Sequence, residues 1–242
     1  QGSGSACRSL HGGFVAWRQG DATGGVVGEH GPWSNSIAVQ IADEKHWPDL
    51  RALILVVSDA KKDTSSTAGM STSVATSALL QHRIASVVPQ RMQEMEAAYL
   101  SRDFQAFGTL TMRDSNSFHA VCLDTHPPIF YMNDVSKAIV QMVHVYNGAF
   151  DDGKIRAAYT FDAGPNAVLY TLEEHAIELG ALMLHYFPAC NDGDGDDDYV
   201  KNDPEYYKQI QSHELDSSLL ELMDAKFAVA SGGDGGDVKN DP

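Results

Sequence analysis

Apolar side chains between Ser77 and Asp124 recur every three or four residues, as they do along one face of an α-helix. The repeating positions are Leu80, Ile84, Val87, Val88, Met92, Met95, Tyr99, Phe104, Phe107 and Leu110. Pro89 predicts a kink or restart, and Pro127-Pro128 predicts the end of the series. The segment therefore predicts consecutive helices whose apolar faces pack into a core.

Strand patterns lie on both sides of this helical segment. The predicted strands are Ile37 to Ile41, Arg51 to Val57, Arg156 to Phe161 and Ala167 to Leu172. Because Arg51 to Val57 is largely apolar, we expect it to lie centrally in a sheet. Further helices are predicted over Ser5 to Trp17, Asn133 to Val145 and Glu173 to Tyr186. Strands separated by helices, with an antiparallel return, predict an α+β fold.

Charge and composition restrict the class of partner. The 242 residues carry 17 basic and 33 acidic side chains, for a formal net charge of −16, which argues against nucleic-acid binding. No apolar run approaches the roughly 20 residues that span a bilayer, so no membrane partner is predicted. The cysteines are Cys7, Cys122 and Cys190, an odd number without metal-ligand spacing. This favours reduced thiols and a cytoplasmic location.

A small-residue segment near residue 1 has the composition of an anion-binding loop. Gly2 and Gly4 let backbone N–H groups approach an anion, and neighbouring hydroxyls add donors. Arg8 follows by about one helical turn, so its guanidinium is expected to reach the same anion. The candidate binding residues are Ser3, Gly4, Ser5, Ala6, Cys7 and Arg8. Taken alone, the same spacing is also typical of a turn that leads into a helix.

Two further positions are candidates for chemistry. Asp162 ends a predicted strand and begins the turn Asp162-Ala163-Gly164-Pro165-Asn166, where an aspartate acts either as an acid-base group or as a turn stabiliser. Ser66 and Thr67 follow Lys61 and Lys62, and they are read either as substrate-binding hydroxyls or as an ordinary serine-threonine turn.

Other polar residues are not assigned to a metal. The tract at 191–198 has alternating aspartates, but Asp197 and Asp203 stand where an EF-hand loop has glycine and glutamate. We interpret it as a solvated acidic loop. His119 and His126 lie near aspartates without a third ligand in suitable spacing, so we interpret them as surface or core histidines.

Four segments together resemble one family. They are residues 2–14 (GSGSACRSLHGGF), 61–67 (KKDTSST), 114–119 (DSNSFH) and 159–166 (YTFDAGPN), and they resemble mevalonate diphosphate decarboxylases of the GHMP kinase superfamily. The likeness runs from residue 1 to about Phe187. It implies a GHMP-type fold: a remnant of the N-terminal ribosomal-protein-S5-like domain over 1–58, a ferredoxin-like C-terminal domain over 59–189, and an acidic, partly disordered tail with a short helix over 190–242.

The resemblance also implies a reaction. It is the ATP- and Mg²⁺-dependent decarboxylation of (R)-5-diphosphomevalonate to isopentenyl diphosphate by a homodimer. The catalytic residues would be Asp162 and Arg8. Asp162 would orient or deprotonate the C3 hydroxyl, and Arg8 would bind the carboxylate or diphosphate and keep the leaving CO₂ group aligned with the C3–O bond. Ser3, Gly4, Ser5, Ala6 and Cys7 would line the anion site, and Ser66 and Thr67 would contact the substrate.

Two departures from the family pattern lead us to expect a chain truncated at both ends. The Pro-rich, Ser-Ser-containing nucleotide loop has no counterpart, and a final apolar strand is missing from the sequence. Two alternatives remain: a noncatalytic fragment or interaction module derived from the enzyme, and a GHMP small-molecule kinase without decarboxylation.

Overall fold

The structure, a computed structural model, describes residues 11–18, 37–58, 64–188 and 203–230. The strands are β1 (Phe14–Arg18), β2 (Ile37–Ala42), β3 (Leu50–Leu55), β4 (Ala157–Phe161) and β5 (Ala167–Leu172). The helices are α1 (Ser66–Thr76), α2 (Ala78–His82), α3 (Val88–Leu100), α4 (Phe104–Asp124), α5 (Asp134–Asn147), α6 (Glu173–Tyr186), α7 (Pro204–Ser212) and α8 (Ser217–Ala230). A π-helical turn over Arg83–Val87 joins α2 to α3. The consecutive helices predicted from the apolar spacing are confirmed.

The predicted helix over Ser5 to Trp17 is wrong at its described end. Phe14 to Trp17 belong to β1, which pairs antiparallel with β2. Gly13 precedes the strand with a φ of 72°, and a Cβ there would lie 2.4 Å from the carbonyl oxygen of Ala42. This backbone is available to glycine and cannot continue a right-handed helix.

Strands β3, β5 and β4 form an antiparallel sheet in that spatial order. The expectation that β3 lies centrally is therefore wrong within the described residues, because β5 occupies the central place. Leu53 pairs with Leu169 of β5 and packs against a buried cluster, whereas the side chain of Ile54, on the opposite face, is 66% exposed. Apart from Leu50, which packs against the cluster on the opposite face, the leucines of β3 pack on one face only.

The two faces of this sheet contact different clusters of buried side chains. One face packs against α5, α6 and α8, through the fully or almost fully buried residues Ile139, Met142, Val143, Tyr146, Tyr159, Leu169, Leu179, Leu182 and Met223. On the other face, Tyr170 packs against Phe107 of α4 with the rings edge to face, 5.4 Å apart. Helix α4 lies close to β4 because Gly108 has no side chain: a Cβ there would come within 3.3 Å of the Ala158 Cβ.

The C-terminal helices belong to the packed structure. Ile210 of α7 lies against Gly180, where a Cβ would lie 2.8 Å from the Ile210 Cδ1. In α8, Met223 is fully buried, and Asp224 accepts a 2.6 Å hydrogen bond from the Tyr186 hydroxyl. One short helix was expected in this part of the chain, and the structure has α7 and α8.

None of the helices that the structure describes combines the length and apolar character needed to cross a membrane. Cys122 is a free thiol in a buried position, and burial raises its pKa. Cys7 and Cys190 lie outside the described residues.

Candidate active site

Asp162 stands at the corner between β4 and β5. The strand, turn and strand predicted there are confirmed, with the turn formed by residues 162–166. The Asp162 carbonyl accepts a hydrogen bond from the Gly164 N–H at 2.8 Å, which closes the turn. The Asp162 side chain is exposed, so a solute can reach its carboxylate.

Hydrogen bonds from two other parts of the fold hold this corner. The Ser136 hydroxyl donates to the Pro165 carbonyl at 2.8 Å, and Ser136 is itself fixed in the capping box that Asn133 forms at the start of α5. The Asn166 Oδ1 accepts from the N–H groups of Val57 and Ser58 at 2.8 and 3.0 Å. The corner is therefore positioned by α5 and by the segment that follows β3.

Ser66 and Thr67 form the first turn of α1 and are exposed. Ser65 is the N-cap, and its hydroxyl oxygen accepts from the Ala68 N–H at 3.2 Å. The first backbone N–H groups of a helix have no partner within the helix, so they are available to an anion. Sequence reasoning missed α1 because its residues are small and mostly polar and show no apolar periodicity. A serine N-cap before Ser66 was the local signal for it.

Tyr131 lies near both α1 and the Asp162 corner. Its hydroxyl is so close to Gly69, on the first turns of α1, that a Cβ there would lie 2.3 Å from the Tyr131 Oη. Tyr131 also belongs to a buried cluster with Cys122 and Ile129, against which Ala163 packs. Burial raises the pKa of Tyr131, and the charges of Cys122 and Asp162 act in the same direction. Tyr131 therefore lies near both the first turn of α1 and Asp162.

A cavity of about 230 Å³ opens beside Asp162. Its lining residues are Arg83, Asp114, Ser115, Phe118, Thr160, Phe161 and Asp162. Arg83 donates through its two terminal nitrogens, Nη1 and Nη2, to the Asp114 carboxylate, each at 2.7 Å. Arg91 donates to the same carboxylate at 3.0 Å. Burial favours the neutral carboxyl of Asp114, but the hydrogen bonds from Arg83 and Arg91 outweigh it and lower its pKa. Sequence reasoning did not select Arg83, since its partner lies in another helix.

The remaining candidate residues lie outside the described part of the chain. They are Ser3, Gly4, Ser5, Ala6, Cys7 and Arg8. The geometry above therefore concerns the part of the candidate site formed by Asp162, Tyr131 and α1.

Comparison with known families accounts for most of the sequence. Residues 52–231 match the model of the mevalonate 5-diphosphate decarboxylase C-terminal domain. The chain belongs to the mevalonate 5-diphosphate decarboxylase family. Residues 1–27 match the diphosphomevalonate decarboxylase-like N-terminal domain. The likeness to mevalonate 5-diphosphate decarboxylases thus extends past Phe187, where the sequence analysis expected it to fade, and includes α7 and α8.

Individual relatives agree with this assignment. The chain is 59% identical over 190 residues to a diphosphomevalonate decarboxylase of Ganoderma lucidum, covering 78% of this chain and 46% of that protein. Mevalonate diphosphate decarboxylase from Trypanosoma brucei has a similar structure, with a TM-score of 0.76 and 36% identity over 91% of this chain and 55% of that one. MDDEF in complex with MVAPP, AMPPCP and magnesium gives a TM-score of 0.63 and 27% identity, covering 77% of this chain and 52% of that chain.

The chain spans about half the length of the relatives it matches. Their folds confirm the predicted α+β, GHMP-type architecture.

Proposed function

We propose that this chain is part of an enzyme that catalyses the ATP-dependent decarboxylation of (R)-5-diphosphomevalonate. The products are isopentenyl diphosphate, ADP, phosphate and CO₂, in a cytoplasmic step of isoprenoid and sterol biosynthesis. The match of residues 52–231 to the C-terminal domain of these decarboxylases carries the proposal. The exposed carboxylate of Asp162, at a rigidly held strand end, supports it.

Asp162 and Arg8 are the proposed catalytic residues, Arg8 by keeping the departing carboxylate aligned with the C3–O bond. A carboxylate within hydrogen-bond reach of the C3 hydroxyl orients that oxygen and takes its proton as the oxygen attacks the γ-phosphorus of ATP. The bond from the γ-phosphorus to the β–γ bridging oxygen breaks, and ADP leaves. The C3–O bond of the phosphorylated intermediate then breaks, phosphate leaves, and the electrons of the bond to the carboxylate form the new double bond as CO₂ departs. The closed turn from Asp162 to Gly164 supports this role because it restricts the backbone beneath the carboxylate.

Anion binding is divided between two segments in this proposal. Ser66 and Thr67 donate hydroxyl and backbone hydrogen bonds to the diphosphate from the start of α1. Arg8 binds the substrate carboxylate or diphosphate together with Ser3, Gly4, Ser5, Ala6 and Cys7. Arg8 supplies local positive charge in a chain whose net charge of −16 otherwise disfavours an anionic substrate.

Mg²⁺ is proposed to enter together with ATP. Residues 11–18, 37–58, 64–188 and 203–230 offer no group of three His, Cys, Asp or Glu side chains suited to a metal ion. Magnesium commonly binds nucleotide phosphates and water with few protein ligands, which fits this arrangement. The solved complex of MDDEF with MVAPP, AMPPCP and magnesium supports the same pairing. The active form is proposed to be a homodimer.

The test uses a fusion in which the Ganoderma lucidum relative supplies the sequence that precedes its match to this chain. With Mg-ATP and 5-diphosphomevalonate, we expect CO₂ and ADP in equal amounts. Asp162→Asn should abolish turnover, whereas Asp151→Asn, the same change at another exposed aspartate, should not. ADP without CO₂ would identify a kinase, and no turnover from a folded fusion would contradict the proposal.

A further inference from the structure

The side chain of Tyr131 contacts two elements of the candidate site. Its hydroxyl lies against α1, where a Cβ at Gly69 would be 2.3 Å from the Tyr131 Oη and 3.5 Å from its Cζ. The buried cluster to which Tyr131 belongs packs against Ala163, the residue that follows Asp162. Tyr131 is therefore in contact both with α1 and with the corner that carries the proposed catalytic carboxylate.

The backbone around Tyr131 is fixed on both sides. The Ile129 N–H donates to the Cys122 carbonyl at 2.9 Å, which ties the segment to the last turn of α4. Asn133, two residues after Tyr131, forms the capping box of α5 with Ser136. The position of the tyrosine hydroxyl is therefore set by two helices.

The Tyr131 hydroxyl has no hydrogen-bond partner among the residues that the structure describes. Tyr131 is only 9% exposed, and a buried tyrosine hydroxyl ordinarily binds a partner. The N–H of Gly69 does not serve it, since that group donates to the Ser65 carbonyl at 2.9 Å. The oxygen thus takes up space that a phenylalanine would leave free, and it makes no hydrogen bond within the described chain.

Unused donors lie close to this hydroxyl at the start of α1. Ser66 precedes Gly69 by three residues, so both lie on one face of the helix. The N-cap Ser65 accepts from the Ala68 N–H and leaves the N–H groups of Ser66 and Thr67 without a partner in the described chain. Backbone N–H groups at a helix start, supplemented by a neighbouring hydroxyl, suit an anion.

We propose that Tyr131 is a further substrate-binding residue, whose hydroxyl donates a hydrogen bond to the diphosphate held at the start of α1. The phenol keeps its proton at neutral pH, so the hydroxyl donates and a phosphate oxygen accepts. A neutral donor costs less to bury than a charged one, and its hydrogen bond to an anionic oxygen is stronger than one to a neutral acceptor. This inference rests on the proposed function, in which Ser66 and Thr67 bind the diphosphate.

The first experiment compares Tyr131→Phe with the parent in the fusion described above. We expect KM for 5-diphosphomevalonate to rise about tenfold or more with kcat within about threefold, because the lost hydrogen bond serves the ground state and the transition state alike. At constant free Mg²⁺, the inhibition constant of inorganic diphosphate should rise by a similar factor. An unchanged KM, a loss confined to kcat, or a raised KM with unchanged inhibition by diphosphate would overturn the proposal.

The second experiment needs no turnover and is carried out on this chain. We expect inorganic diphosphate to shift the NMR amide resonances of Ser66 and Thr67, with a dissociation constant about threefold larger or more for Tyr131→Phe. Tyr186→Phe is the matched control, because the Tyr186 hydroxyl bonds to Asp224 of α8. The control should bind diphosphate as the parent does, and an equal loss in the two variants would contradict a specific contact.

Unfolding in urea distinguishes a binding role from a structural one. Tyr186→Phe breaks a hydrogen bond to a carboxylate and should lower the midpoint. Tyr131→Phe breaks none in the described chain and should leave the midpoint nearly unchanged. A Tyr131→Phe variant as destabilised as the control would show that the hydroxyl serves the fold, which would overturn the proposal.

Failure of this inference and failure of the proposed function give different results. Equal dissociation constants for the parent and Tyr131→Phe, or unshifted amides at Ser66 and Thr67, would overturn the role of Tyr131, whatever the fusion does. A fusion without turnover, together with the expected loss of diphosphate binding, would overturn the decarboxylase assignment and leave the diphosphate contact established.

Discussion

The side-chain oxygen of Asn166 accepts a hydrogen bond from the backbone N–H of Val57 at 2.8 Å. The β3–β5 ladder has its last pair at Leu55 and Ala167, so Asn166 supplies from its side chain the acceptor that a continuing strand would have supplied from its backbone. The same oxygen also accepts from Ser58. Asn166 thereby connects the turn that begins at Asp162 to the segment leading toward α1.

This connection predicts different effects for two substitutions at one position. Asn166→Leu removes the acceptor of two backbone N–H groups, and we expect a loss of about 1–3 kcal/mol in the free energy of unfolding. Asn166→Asp keeps an acceptor oxygen and should cost clearly less. Urea unfolding of both variants measures the difference, and equal losses would show that the acceptor is not what matters.

Close contact between α1 and Tyr131 predicts a coupled pair of substitutions. A Cβ at Gly69 would lie 2.3 Å from the Tyr131 Oη but 3.5 Å from its Cζ. Gly69→Ala should therefore destabilise the protein by about 1–3 kcal/mol through overpacking. Tyr131→Phe removes the clashing oxygen and should recover most of that loss, as measured by a double-mutant cycle. Additive effects of the two changes would contradict this contact.

The ionised carboxylate of Asp114 predicts that the free energy of unfolding decreases at low pH. Its pKa in the folded protein lies below the ordinary 3.8, so its contribution is present above that value and is lost as the pH falls through the folded pKa. The unfolding free energies of the parent and of Asp114→Asn should differ by a constant amount between about pH 5 and 7 and converge below about pH 4. A difference that persists at lower pH would contradict the ion pairs with Arg83 and Arg91.

The half-buried ring of His119 also predicts that stability falls as the pH falls, over a higher pH range than for Asp114. Its pKa lies below the ordinary 6.5, so the unfolded chain takes up the proton first and stability falls as the pH drops below that value. Relative to His119→Asn, the parent should lose stability between about pH 7 and 5. Chemical denaturation at several pH values measures this, and a gain in stability over that range would show that the folded ring prefers the proton.

Local patterns in the sequence predicted the elements that local chemistry determines. The strand ending at Phe161, its turn and the helix from Glu173 were located almost to the residue, because alternation and turn-forming residues act over a few positions. The helix predicted from Asn133 corresponds to α5, for which Asn133 is the N-cap. Asp162 was selected as a strand-end carboxylate for the same reason.

Features that depend on distant partners were missed or predicted wrongly. The helix predicted up to Trp17 gives way to a strand because Trp17 pairs with Ala38 of β2. Helix α1 has no apolar periodicity, and its burial depends on small residues such as Gly69 and Ser73 that allow close approach. The contact of Ser115 with Phe161 joins positions 46 apart, a distance over which sequence spacing carries no information.

The fully buried side chain of Met223 determines where a shortened variant of this chain should end. A version ending before α8 would leave a vacancy beside Tyr146 and Leu182 of the same cluster. Deletion of α8 should therefore lower the stability of the sheet against which this cluster packs. For a library of shortened variants, Ala230 is a better stopping point than the acidic stretch that precedes α7.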